Sequence, residues 1–375
     1  MSSTRIEMPF LDNLRTLMVF LVVLIHAGFV YDYSLSSVWI VDDAAKSLLI
    51  FRVFMVIDVF LIPTLFFVSG FLAPDSLSRA GAARFLLAKF KRLIIPWAAA
   101  ALTLIPLYRM VFLASRGLPP ESAAMYFHFP GRMMMNQGWL WFLPVLFLFN
   151  SVYALAAKAV RRLARIPIRW TLASVFLLVC ASSYAMGAWG LEGWTKTPVL
   201  DFQNERLFVY FLAFLVGAYV KSNGLLMPKA DGKRERLGKT FWIVLASLPA
   251  VLAVYSVFRW NRILFQGVSP LVSGVLDGIV ISTSYGLSLI GAVGLLVFFF
   301  SRRLNRAEGV VREANRNALG VYLIHFIVTG VVAWALLEAA LPALVKWTVL
   351  TLATYAGSQA LVSLCRRFVC RIVRR

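Results

Sequence analysis

Two ionisable residues stand inside an apolar stretch near the start of the chain. In LDNLRTLMVFLVVLIHAGFVY, residues 11–31, Arg15 and His26 are eleven positions apart. At 100° per residue this is ~1100°, three turns plus ~20°, so both side chains leave one helix face about 16 Å apart along the axis. An ionisable group inside a membrane span costs ~2.5–3.5 kcal/mol on insertion scales, so it faces a protein interior or a wet cavity. Imidazole accepts a proton near neutral pH, which suits His26 to general-base work. The same spacing also suits a snorkelling arginine and a packed histidine.

Other polar groups sit in apolar runs. They include Arg52, Asp58, Arg109, Asn150, Asp277, Tyr322 and His325. Arg52 and Arg109 fall near span ends, where snorkelling is expected, whereas Asp58 and Asp277 sit deeper and need a proton or an arginine partner. His325 is expected two turns into its span, nearer the cytoplasm than His26. Two histidines without a cluster of carboxylates or thiols make a poor metal site, so no metal is expected and proton handling is the better reading. His128, in MYFHFPGR, reads as a surface residue. A basic cluster of Arg84, Lys89, Lys91 and Arg92 precedes Pro96. It fits either topology-setting charge or a phosphate clamp, through Arg84, Lys91 and Arg92, for an anionic cytosolic donor. Cys180, Cys365 and Cys370 form neither a disulfide framework nor a metal pattern.

The elements that must position these groups are membrane helices. The 375 residues are 61% apolar with net charge +21, and the mean hydropathy is +0.79. The apolar excess comes in long runs rather than stripes, and the alternating segments of a barrel are absent, so the expected fold is all-α, a polytopic membrane bundle. About ten spans are expected, at 11–31, 48–72, 93–114, 138–157, 170–188, 206–220, 240–257, 271–300, 318–338 and 347–364. The first reads as a retained span, because no small-residue cleavage site follows it. Gly274 and Gly278 suit helix packing.

Alternate inter-span segments carry 26 and 7 Lys and Arg. By the positive-inside rule the rich set, and with it both termini, is cytoplasmic. The basic excess is thereby a topological signal, and no nucleic-acid partner is expected. Tyr31, Tyr33, Trp39, Trp139 and Trp141 then fall at outer span ends as an aromatic belt.

Four stretches together resemble the membrane-bound acyltransferase family 3. Arg15 and His26 in LDNLRTLMVFLVVLIHAG match its Arg-x10-His opening span. LFFVSGFLAPDSLSRAGAARFLLAKFKRLIIP is similar to its second span, Ser-Gly exit and basic run ending in Pro. GWLWFLPVLFLF resembles its Trp-Phe-Leu stretch, although Pro144 stands where relatives often carry a polar residue. ALGVYLIHF resembles its late Tyr-x-x-His stretch. The whole chain, 1–375, then reads as a single transmembrane acyltransferase domain, acting alone or with a separate partner because no extracytoplasmic hydrolase-like domain follows. The resemblance implies transfer of an acetyl or succinyl group from cytosolic acyl-CoA, acetyl-CoA first, to a hydroxyl of a sugar, glycan or glycolipid. His26 would be the base or a transient acyl carrier. Arg15 would meet donor phosphate or the oxyanion, with His325 and Tyr322 assisting. The expected location is the inner membrane, with the lipid bilayer and a carbohydrate acceptor as partners. A homo-oligomer is compatible with all of this. The rival reading is a transporter or flippase, which ten helices with ionisable residues also suit, although the two halves show no internal repeat.

Overall fold

The computed structural model describes residues 8–128, 136–226, 238–265 and 268–373, the last five of these without side chains. Residues 129–132 of MYFHFPGR, 227–237 of the basic loop, residues 374–375 and the side chain of Cys370 lie outside that description. Among the described residues twelve α-helices follow one another: α1 (Pro9–Gly28), α2 (Leu48–Asp58), α3 (Leu61–Ala80), α4 (Ala82–Lys89), α5 (Ile95–Ala114) and α6 (Phe142–Leu163), then α7 (Ile168–Ala188), α8 (Asn204–Ser222), α9 (Lys239–Leu264), α10 (Gly274–Arg303), α11 (Gly309–Ala335) and α12 (Ala343–Val373). A two-stranded hairpin, β1 (Trp194–Thr195) and β2 (Phe202–Gln203), pairs antiparallel between α7 and α8.

Prolines explain where long apolar runs break. The second expected span is two helices, because Pro63 has no N–H to bond the Val59 carbonyl four residues back, and the chain turns at Val59–Phe60. Pro96 likewise cannot serve the Arg92 carbonyl, and the turn before it widens into a π-helix at Phe90–Ile94 joining α4 to α5. Asp277 needs neither proton nor arginine. Its carboxylate accepts from the Leu271 and Val272 amides at 2.7 and 3.1 Å, fixing the start of α10 together with the Ser273 cap.

Among the described residues, nine helical stretches are long and apolar enough to cross a membrane. The sixth expected span, 206–220 in α8, is not one of them, since Glu205, Arg206 and Lys221 occupy its ends. It nonetheless runs the length of the bundle. Its start pairs with the hairpin, where Gly193 N–H donates to Glu205, and its end meets the α6–α7 turn, where Tyr219 donates to the Ile166 carbonyl at 2.6 Å. Along the way it packs against α3 at backbone distance: a Cβ on Gly70 would lie 1.9 Å from the Phe214 oxygen, and one on Gly217 would lie 2.1 Å from that of Phe67. This contact is far tighter than at Gly278, where a Cβ would meet Tyr184 at 3.0 Å, or at Gly274, where it would meet nothing.

Helix α1 is central, packed against α3, α10, α11 and α12. At its start Asn13 donates to the Leu304 and Arg306 carbonyls, and Thr16 to Asn315. The end of α12 meets the same region, through Ser363 on Glu313 and Arg366 on Asn317. Both described ends of the chain therefore lie at one end of the bundle, called here the terminal end. Helices α7 and α9 bury only Val179 and Tyr255 respectively, and so present apolar outer faces suited to lipid.

Candidate active site

His26 and His325 meet. The Nδ1 of His26 is 2.7 Å from the Nε2 of His325, with ring planes 5° apart. They were expected at different depths, but α11 starts at Gly309 rather than at 318. His325 is therefore sixteen residues into α11 and His26 seventeen into α1, about 25 Å along each helix from the terminal end. The shared level follows from those helix starts.

Backbone acceptors fix the protons of this pair. His325 Nδ1 lies 2.8 Å from the Tyr322 carbonyl and 3.2 Å from that of Val321. Carbonyls only accept, so the His325 hydrogen is on Nδ1 and its Nε2 is the acceptor. His26 must then donate from Nδ1. Its Nε2 is left as a lone pair with no partner among the described residues, on a residue that lines a cavity of about 520 Å³. That volume is typical of small-molecule sites, ~300–1,000 Å³.

Aromatic rings build the wall around the pair. Trp139 stacks on Phe326 with centroids 4.4 Å apart and donates its indole N–H to the Leu323 carbonyl at 2.9 Å. Trp39 lies 5.6 Å from the His26 ring and donates to the His26 carbonyl at 3.0 Å. Trp39, Trp139 and Trp141 are thus cavity residues rather than belt residues, and Trp194 of the hairpin joins them. Tyr322 also lines the cavity, but its hydroxyl is committed to the Trp139 carbonyl.

The loop at residues 32–47 carries Trp39 and is pinned from three sides. Buried Lys346 pairs with buried Asp43 at 2.7 Å. Tyr108 donates to the Val38 carbonyl at 3.1 Å. Arg116 gathers the Ser36, Trp39 and Ile40 carbonyls while its guanidinium sits 3.9 Å from the Phe112 ring centroid. Burial pulls the Arg116 guanidinium below its ordinary pKa. For Asp42 burial pulls upward, but bonds from Lys46 and Ser36 and the Lys46 and Arg116 charges outweigh it and hold the carboxyl below its usual value.

Arg109 does not snorkel. It is 4% exposed and makes a bidentate pair with Glu121 at 2.8 and 2.5 Å, because the segment after α5 folds back over it. The hydrogen bond from Arg109 in turn holds the Glu121 carboxyl below its ordinary value. Asp58 finds the arginine partner that its depth requires in Arg206, at 3.3 Å.

The remaining candidates are elsewhere. Arg15 is at the terminal end, bonded to Asp12 at 2.9 Å and to the Asn315 carbonyl at 3.1 Å, and it does not line the cavity. Its Nε is buried without a partner among the described residues, and the Arg92 charge is near enough to repel it. Arg84, Lys91 and Arg92 are exposed along α4 and the π turn. No group of three metal-ligating side chains occurs among the described residues.

The family model for the acyltransferase domain matches residues 8–363, nearly the whole chain. The chain belongs to acyltransferase family 3. It is a membrane acyltransferase, and this membership decides between the enzyme and the carrier in favour of the enzyme. No curated protein and no solved structure gives a match. Sequence reasoning missed the aromatic wall and the hairpin's Lys196 and Gln203, which share the cavity. The density of Trp in GWLW and EGWTK was the available signal.

Proposed function

We propose that this acyltransferase moves an acyl group, acetyl first and succinyl second, from acyl-CoA to a hydroxyl of a sugar, glycan or glycolipid, with His26 as general base. The observation that carries the reading is the unpartnered Nε2 of His26, left free by the hydrogen-bond chain through His325 to the Tyr322 carbonyl. An alcohol is a weak nucleophile, and a positioned base contributes typically ~10²–10⁴-fold. His26 Nε2 takes the hydroxyl proton as the oxygen attacks the thioester carbonyl. The C–S bond then breaks, and the departing thiolate takes the proton back from Nε2. While His26 is protonated its Nδ1–H bond to His325 becomes charge-assisted, so His325 steadies the cation as well as the tautomer.

Arg15 with Arg92, and Arg84 and Lys91 beside them, supplies cation density for the phosphates of the donor. In this reading the terminal end is cytoplasmic in the inner membrane, and donor and acceptor approach from opposite ends. The test uses membranes holding wild type or His26→Ala with acetyl-CoA labelled in the acetyl group. Label in the glycan and glycolipid fraction with wild type only is expected. Undiminished labelling with His26→Ala overturns the role of His26.

A further inference from the structure

The cavity has a second polar group that the transfer step does not use. Asp58 ends α2 at the proline-driven break, and its side chain is 23% exposed on the cavity wall shared with His26. Its Oδ2 is engaged by Arg206 Nη2 at 3.3 Å. Among the described residues the structure gives Oδ1 no donor.

Arg206 is built to hold that carboxylate. It is 6% exposed, donates to Tyr255 at 3.1 Å, and has its guanidinium 4.1 Å from the Tyr285 ring centroid. Held by the Tyr255 hydroxyl and the Tyr285 ring, this guanidinium fixes the orientation of the Asp58 carboxyl group. The cavity therefore offers a carboxyl oxygen with free lone pairs at Oδ1, and the base at His26 is part of the same wall. The other charge on that wall, Lys196, is already neutralised by buried Asp201 at 3.2 Å and lies 4.7 Å from the Trp194 ring centroid. The wall thus presents acceptors at Asp58 Oδ1 and His26 Nε2, in a cavity that four indoles also line, and an indole face suits the C–H face of a sugar ring.

We propose that Asp58 anchors the acceptor by taking a hydrogen bond, at Oδ1, from a hydroxyl other than the one that reacts, and that the acceptor unit in the cavity is an uncharged polyhydroxylated ring. Arg206 is a positioning residue that acts through Asp58. An anionic sugar is disfavoured at this position by the carboxylate itself. The inference rests on the reading that the acceptor hydroxyl reacts at His26.

The test uses full-length protein in lipid nanodiscs and methyl β-D-glucoside as the probe. Trp39, Trp139, Trp141 and Trp194 all line the cavity, so binding reads out as a change in tryptophan fluorescence without any turnover. Asp58→Asn is expected to weaken binding about tenfold, the difference between a charged and a neutral hydrogen bond. With labelled acetyl-CoA and the glucoside as acceptor, Asp58→Asn raises the acceptor KM about tenfold and leaves the acetyl-CoA KM unchanged. Asp58→Glu keeps the charge opposite Arg206 and provides a folded comparison, with a smaller loss, should Asp58→Asn fail to fold.

Equal glucoside affinity in wild type and both Asp58 variants overturns the inference. So does an Asp58 effect seen only with the methyl glycoside of glucosamine, which would make the carboxylate a counter-ion for an amine. Wild type that labels membrane glycans but does not bind the glucoside overturns it alone. Wild type that neither binds the glucoside nor transfers acetyl to any membrane glycan overturns the underlying reading as well.

Discussion

At the scale of single residues, the site depends on which nitrogen of His26 carries the proton. His325→Ala removes the acceptor for His26 Nδ1–H and frees the ring to turn or change tautomer. The expected loss in kcat is a large part of the ~10²–10⁴-fold owed to a positioned base. His325→Gln presents a side-chain carbonyl to the same N–H and should retain more activity than His325→Ala. Steady-state transfer from labelled acetyl-CoA checks the order. Equal rates for the two variants would remove the acceptor role of His325. Tyr322 behaves differently, because its hydroxyl is spent on the Trp139 carbonyl. Tyr322→Phe leaves that buried oxygen unsatisfied, at ~1–3 kcal/mol. It should lower the melting temperature while kcat stays within about tenfold of wild type.

Helix pairs and loops decide whether these residues meet. The α3–α8 contact lies next to the meeting of Asp58, at the end of α2, with Arg206 of α8, and it needs Gly70 and Gly217 to let the backbones touch. Gly70→Ala puts a methyl where the Phe214 oxygen stands. Overpacking of this kind costs ~1–3 kcal/mol or more, so folded yield and melting temperature in nanodiscs should fall, with Gly217→Ala behaving alike. The Trp39 loop hangs on the buried Lys346–Asp43 pair. Breaking one partner of such a pair costs ~3–5 kcal/mol, whereas replacing both by apolar residues is often neutral. Lys346→Met is therefore expected to be worse than Lys346→Met with Asp43→Leu, measured by thermal melting. Acid should loosen the segment after α5. The folded pKa of Glu121 lies below its ordinary 4.5 because Arg109 bonds it. Its contribution to stability is then full above that value and is lost as pH falls through the lower folded value. Melting temperature against pH should show an acid limb below about 4.5 that Glu121→Gln flattens.

For the whole molecule, the question is how many times the chain crosses the bilayer. Nine crossings would put the termini on opposite sides, and ten put them on the same side. The structure brings both described chain ends to the terminal end, and α8 spans the bundle despite its charged tips. Charge asymmetry supports our proposal that this end is cytoplasmic. A fluorescent reporter fused at either terminus should be active, and a reporter that needs an oxidising compartment should be silent at both. Activity of the second reporter at one terminus would mean that α8 does not cross.

Helical class and charge alternation follow from composition and run length, because each reports local transfer free energies that need no partner. The sequence also determined that Arg15 and His26 share a helix face, since one helix period sets it. It could not place His325 beside His26, because that depended on where α11 begins, nine residues before its apolar run. Nor could it tell Asp58, which uses a buried arginine 148 residues away, from Asp277, which binds the Leu271 and Val272 amides just before its own helix. The tertiary structure alone decided that Trp39, Trp139 and Trp141 face a cavity instead of lipid headgroups. An indole is equally at home in either place, and only packing across distant segments chooses between them.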